Sequence, residues 1–370
     1  MGASPGATPT DSPHVVSYNS EHVLNVFLFP GQGSQEIGMA ADLFKADAPF
    51  RELARRASER TGADLEKICR RGPERELTRT KNLQPLLVCV SLGYLRHLAD
   101  KGIRADKVLG HSLGEISALA AAGVVSFETA VDIAAKRGEL MDAAASRVAG
   151  GMTAVISSER EAVLQLLAQK FPEVRLVPEQ LVGSSAFRRP DTVAQPDRLK
   201  AELQTAAVTS CAQLVLANDN TPNQIVLSGE IAALEQFTAL VAAEKLGQCR
   251  RLAVAGAWHS PLMAQAAQEF SNWLEMVEFH APKLPLIFNV TAETESDPQK
   301  IRQFIARNLV EPVRWRTAMA SLRGAEKLAL FEVGPGRVLS GLARANGFGD
   351  DVKIFNINNL RGVEMAARLD

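Results

Sequence analysis

Charge of one sign, long apolar runs and clustered cysteines are all missing from this chain. Lys and Arg total 41 against 42 Asp and Glu, a net charge of −1. The surplus of cations that a nucleic acid partner demands is therefore absent. No apolar run reaches the roughly 18–20 residues needed to span a bilayer, which speaks against a membrane-spanning helix. Cysteine occurs four times (Cys69, Cys89, Cys211 and Cys249) and never in CxxC spacing. That pattern is neither a disulfide framework nor a metal knuckle, and it reads as reduced thiols in a cytoplasmic protein. Residues 1–22 have no basic segment followed by an apolar one, as a secretory signal would; rich in Ser, Pro, Gly and Thr, they read as a disordered tail, with the fold beginning near Leu24. What remains is ordinary for a folded chain, 46% hydrophobic and 22% charged over 370 residues. At about 100–200 residues per domain, that length suits two or three domains, or one large domain carrying an insertion.

Short apolar runs and helical stretches alternate up to residue 150. Val26–Phe29 stops at Pro30-Gly31 like a buried strand, and the glycine-rich turn Gly31-Gln32-Gly33-Ser34-Gln35 follows it. A helix is predicted over 84–100 with Pro85 in its first turn, a strand end at Lys107–Leu109, an alanine-rich helix over Ser112–Ala122 closed by Gly123, and another helix from Ser126 to Arg147. Such alternation marks a parallel α/β sheet. The pattern then changes. Strands at Met152–Ile156, Gln213–Ala217, Gln224–Leu227 and Cys249–Val254, with helices at Arg160–Gln169 and Ile231–Lys245, give the order β-α-β-β-α-β of ferredoxin-like units. The domains expected are thus a large body from 23–149 and 255–370, and a small subdomain at 150–254. Within the latter, about 40 residues near 172–211 have little periodicity, long for a loop inside a compact domain. They read either as a disordered insertion or as a docking surface in which Arg188 and Arg189 meet an acidic partner.

Gly110-His111-Ser112-Leu113-Gly114 fits G-x-S-x-G, a turn in which a strand ends, a serine takes a strained conformation and a helix begins. The same five residues also occur by chance in helix caps; the strand-turn-helix context favours a nucleophile. Of six histidines, His14 and His22 lie in the tail, His97 in a helix, His111 on the far side of the turn, and His280 at the end of a helix over 261–279. His259, in the loop Ala257-Trp258-His259-Ser260 before Pro261, is left as the best general base.

In these motifs the chain resembles the malonyl-CoA:acyl carrier protein transacylases and the acyltransferase domains of polyketide and fatty acid synthases. The likeness spans about residues 26–345 and rests on Phe29-Pro30-Gly31-Gln32-Gly33-Ser34-Gln35, Gly110-His111-Ser112-Leu113-Gly114-Glu115, Arg137-Gly138 with Met141, Asn220-Thr221-Pro222 with Gln224, Ser228-Gly229, His259, Asn289-Val290, Pro312-Val313-Arg314-Trp315 and Glu332-Val333-Gly334-Pro335-Gly336. Several motifs in the right order are far more specific than any one of them. The resemblance implies an α/β fold with a hydrolase-like parallel-sheet core and an inserted ferredoxin-like subdomain. It implies Ser112 as nucleophile and His259 as base, with the main-chain carbonyl of Asn308, where the family often has Gln, orienting the histidine. It also implies Gln32 and Leu113 as the backbone donors of an oxyanion hole, and Arg137 as the fork that grips a dicarboxylic acyl group. For Trp258 two readings stand: a wall that excludes an α-methyl branch, or a core aromatic without a selective role. The implied activity moves a malonyl group from malonyl-CoA, through a serine ester, to the phosphopantetheine thiol of an acyl carrier protein, with no metal or other cofactor. Two rivals keep the fold: an editing hydrolase acting on carrier-protein thioesters, and a non-catalytic module that docks carrier proteins.

Overall fold

The computed structural model describes residues 23–172, 174, 214–325 and 327–368. The tail expected at 1–22 and nearly all of the segment at 172–211 lie outside them. The strands described are β1 (Leu24–Phe29), β2 (Lys107–Gly110), β3 (Gly150–Ile156), β4 (Leu214–Thr221), β5 (Gln224–Glu230), β6 (Gln248–Arg251), β7 (Leu286–Ile287), β8 (Leu328–Val333) and β9 (Lys353–Ile357). They form two sheets, as the sequence predicts. One is five-stranded in the order β7-β2-β1-β8-β9, with every pair parallel. The hydrolase-like core is this sheet and the helices on its two faces. Its strands are short apolar runs because both faces are covered. Phe27, Val108 and Phe331 point into one apolar layer, and Val26, Leu28, Leu109 and Leu330 into the other. Phe29 lies in register with Gly110, so the turns after β1 and β2 emerge side by side at the carboxyl end of the sheet. Open α/β sheets bind ligands at that end.

The second sheet is four-stranded and antiparallel, in the order β4-β5-β3-β6. With the helices Arg160–Lys170 and Ile231–Ala243 it makes the ferredoxin-like unit, closed by an apolar layer that includes Val155, Leu167, Leu227, Leu234 and Phe237. Strand β4 is irregular near Ala217 and again near Asn220. There it also touches the larger sheet's territory: Val313 N–H donates to Ala217 O at 2.8 Å and Asp219 N–H to Val313 O at 2.9 Å.

Three local expectations need correction. The helix predicted over 84–100 runs from Thr80 to Asp100, with Pro85 inside it rather than in its first turn. Its early residues have no clear apolar period, yet Thr80, Asn82 and Leu83 are buried by the neighbouring helix Phe127–Ala145, and packing outweighs the one backbone bond that a proline removes. The helix over 261–279 is a single 3-10 turn, Pro261–Met263, followed by a helix that stops at Leu274. Beyond it the chain turns away, and His280 N–H donates to Val124 O at 2.9 Å. The strand placed at Cys249–Val254 is β6, three residues shorter at its end, because its pairing with β3 stops at Arg251. Among the described residues no helix is long and apolar enough to cross a membrane.

Candidate active site

Gly110 ends β2 and Ser112 turns the chain with φ of 52°, a left-handed conformation that costs a non-glycine residue on the order of 1–3 kcal/mol. The neighbouring glycines make the turn possible. A Cβ on Gly110 would lie 1.9 Å from the carbonyl carbon of Gly114, and one on Gly114 would lie 2.0 Å from Phe29 O. Asn289, just past β7, secures the turn from the side: its Oδ1 accepts from Ser112 N–H at 2.7 Å and its Nδ2 donates to Gly110 O at 2.7 Å. The helix Gly114–Ala121 starts at once, with the N–H groups of Gly114, Glu115 and Ile116 donating to the carbonyls of His111, Ser112 and Leu113, so the positive end of its dipole lies beside the serine.

Ser112 Oγ is 2.8 Å from His259 Nε2. On its other side the ring places Nδ1 2.6 Å from Asn308 O and 3.2 Å from Glu311 O. Carbonyl oxygens only accept, so Nδ1 carries the hydrogen and Nε2 turns its lone pair to the serine hydroxyl. The imidazole is buried, with its residue also left-handed at φ 59° and its N–H donating to Leu309 O. Burial, and then the nearby charge of Arg137, push its pKa down to about 3, so the ring is neutral at neutral pH.

Arg137 comes from the middle of the helix Phe127–Ala145 and is only 1% exposed. Its Nη2 donates to Ser112 Oγ at 3.3 Å and to Asn308 Oδ1 at 2.9 Å. Burial lowers its pKa to about 10, so it stays a cation. Glu115, also 1% exposed, accepts from Asn289 N–H at 2.5 Å on Oε1 and from Asn308 Nδ2 at 2.6 Å on Oε2. Burial pushes its carboxyl up to about 8, against the pull of the Asn289 N–H, Arg137 and the Asn308 amide. Both of its oxygens accept hydrogen bonds, and the Arg137 guanidinium nearby opposes the effect of burial.

The structure thus brings Ser112, His259, Arg137 and Asn308 together. It also sets the Gln32 turn beside Leu113: a Cβ on Gly31 would lie 2.5 Å from His111 O and 3.6 Å from Leu113 N. Among the described residues neither Gln32 N–H nor Leu113 N–H donates to a backbone carbonyl outside regular elements, which leaves both available. Trp258 is not brought to Ser112 by any hydrogen bond. It is buried in the larger apolar layer with its ring over Gly256 and its Nε1–H unpartnered. His111 faces the other way, as the sequence predicts, 2.9 Å from Asn220 Oδ1. Asn289, Glu115 and Glu311 were not singled out for the site by sequence reasoning. The available signal was a polar residue where an apolar segment ends, as in Pro285-Leu286-Ile287-Phe288-Asn289, and it says nothing about which atoms meet. Among the described residues no group of three or more His, Cys, Asp or Glu could hold a metal ion.

This geometry coincides with likeness along most of the chain. Residues 26–188 and 179–347 match the family described as acyl transferase domain. A malonyl CoA-acyl carrier protein transacylase from Synechocystis is 33% identical over 334 residues, covering 90% of this chain and 97% of the relative. Another of the same name from Bacillus subtilis is 33% identical, covering 86% and 89%. Among solved structures, the malonyl-CoA:acyl carrier protein transacylase of Xanthomonas oryzae superposes with a TM-score of 0.75 at 31% identity, over 94% of this chain and 98% of the other. A malonyl-transacylase solved with its type II polyketide synthase acyl carrier protein gives 0.76 at 29%, over 94% and 100%. The chain belongs to the acyl transferase domain family.

Proposed function

We propose that this protein transfers malonyl groups from malonyl-CoA to the phosphopantetheine thiol of an acyl carrier protein, for fatty acid or polyketide synthesis. The observation that carries the proposal is one serine oxygen with an imidazole nitrogen 2.8 Å away and a buried guanidinium nitrogen 3.3 Å away. The first is what makes a hydroxyl nucleophilic, and the second is what a carboxylate at the far end of a short acyl chain needs. The names of the relatives support the same substrate and acceptor.

In this mechanism Ser112 Oγ attacks the thioester carbonyl as His259 Nε2 takes its proton. The carbonyl oxygen, now negative, is held by the N–H groups of Gln32 and Leu113; each such donor is typically worth about 3 kcal/mol of transition-state stabilisation. The tetrahedral intermediate collapses, and CoA leaves with the proton from His259. The carrier protein's thiol then repeats the steps in reverse order on the serine ester. Arg137 receives the malonyl carboxylate, for which a planar fork is better suited than an ammonium. Of the two readings for Trp258, its burial in the larger apolar layer with its ring over Gly256 supports the core aromatic. No metal or redox cofactor enters any step. The residues 23–149 and 255–370 form the acyltransferase body and 150–254 the small subdomain. Cytoplasm is the compartment this reading assigns, in keeping with Cys69, Cys89 and Cys249, which are unbridged.

Intact-mass spectrometry after mixing with a panel of acyl-CoAs tests the proposal. A malonyl adduct that moves to added acyl carrier protein is expected. Release as free acid would mark an editing hydrolase instead, and no adduct at all a docking module.

A further inference from the structure

Beneath the serine, four segments converge on a chain of buried polar groups. Glu115 sits in the first turn of the helix Gly114–Ala121, Asn289 follows β7, Asn308 caps the helix Pro298–Arg307, and Arg137 comes from the helix Phe127–Ala145. None of the four is more than 2% exposed. The bonds run in one direction: Arg137 Nη2 donates to Asn308 Oδ1, and Asn308 Nδ2 donates to Glu115 Oε2, whose other oxygen accepts from Asn289 N–H. Only one orientation of the Asn308 amide satisfies Arg137, because a guanidinium cannot accept, and that orientation turns Nδ2 toward the Glu115 carboxyl. No direct hydrogen bond joins Glu115 to Arg137 among the described residues.

On the reading of Ser112 as an acyl-accepting serine and Arg137 as the carboxylate fork, we infer that Glu115 is a positioning residue for acyl selectivity. Through the side chain of Asn308 it holds the Arg137 guanidinium where a dicarboxylic acyl group meets it. Asn308 then has two separate tasks. Its main-chain carbonyl aims His259, which serves every acyl group alike, whereas its side chain aims Arg137, which serves only those bearing a second carboxylate. Simple charge neutralisation of Arg137 by Glu115 would need no amide between them.

The polarity of the chain supplies the test. In Glu115→Gln, the new amide nitrogen meets the donor Nδ2 of Asn308. In Asn308→Asp, two carboxylates face each other. In the double variant E115Q/N308D the pattern from Asn289 N–H to Arg137 is restored, and only the long contact from Asn308 Nδ2 to Asn289 Oδ1 at 3.5 Å is lost. The new amide oxygen accepts from Asn289 N–H, and the new amide nitrogen donates to one oxygen of the new carboxylate, whose other oxygen accepts from Arg137. The quantity to measure is the ratio of kcat/KM for Ser112 acylation by malonyl-CoA to that by acetyl-CoA. Each single variant is expected to lower the ratio at least about tenfold, equivalent to ~1.4 kcal/mol, as for one buried polar group left without its partner. The double variant is expected to return to within about threefold of the unaltered protein, since the two changes are strongly coupled. A single variant with an unchanged ratio, or a double variant as poor as the singles, would overturn the inference. Should the singles not fold, Asn308→Ala carries the comparison. It keeps Glu115's charge and the main-chain carbonyl but breaks the relay, so an unchanged ratio there overturns the inference too. Absence of any malonyl adduct on the unaltered protein would instead remove the functional reading on which this rests.

Discussion

At the carboxyl end of the parallel sheet, Glu115, Arg137, His259, Asn289 and Asn308 are buried together as one hydrogen-bonded polar group, whereas the layer under the antiparallel sheet that holds Val155, Leu167, Leu227, Leu234 and Phe237 is apolar, although that unit also buries Arg160 and Asp219 as an ion pair at 3.0 Å. Buried polar groups need partners and carry a desolvation cost, so a fold gathers them where something besides stability depends on them. Ser112 and His259 also hold left-handed conformations on the first side of this comparison. The apolar layer of the second side asks for nothing more than volume and pattern. One region holds the candidate site and the other a packed apolar layer.

Substitutions on the two sides should part company. Ser112→Ala is expected to abolish the acyl adduct, with residual transfer at least about four orders of magnitude down, as for other serine nucleophiles, by rapid-quench assay. Arg137→Ala should leave the serine reactive and lower the malonyl-to-acetyl ratio about a hundredfold, the scale for losing one partner of a buried charged pair, read by competition between the two CoA esters. Leu227→Ala, in the fully buried antiparallel layer, should destabilise the protein by about 2–5 kcal/mol in urea unfolding and leave that ratio unmoved. A ratio that shifts with Leu227 would erase the distinction between the two regions. The smallest effect expected is none. The folded-state pKa of His259 is depressed from 6.5 to about 3, so the imidazole stays unprotonated as pH falls. The rate of Ser112 acylation should then show no inflection near 6.5 when followed by stopped flow from neutral pH down to about 5.

Much of the fold was legible because its signals are local. The strands of the ferredoxin-like unit alternate with helices in readable blocks, and Gly110 and Gly114 mark a turn into which no side chain fits. Ser112 and His259 were found for the same reason: each sits where a strand or loop gives way to a helix. Asn308 and Arg137 needed family resemblance, since neither spacing nor composition shows that a helix cap and a mid-helix arginine meet. The start of the helix at Thr80 was hidden because burial by another helix, not its own period, forms it. Glu115 and Asn289 stood within the motifs of the resemblance but received no role in the site, because the order of the letters does not show that residues 174 positions apart share a hydrogen bond.

Val313 bonds to β4 on both its N–H and its carbonyl, and it lies two residues beyond Glu311, one of the two carbonyls that face His259. The edge strand of the smaller sheet and the carbonyl that faces the His259 ring are thus fastened to one short stretch of main chain, residues 311–313.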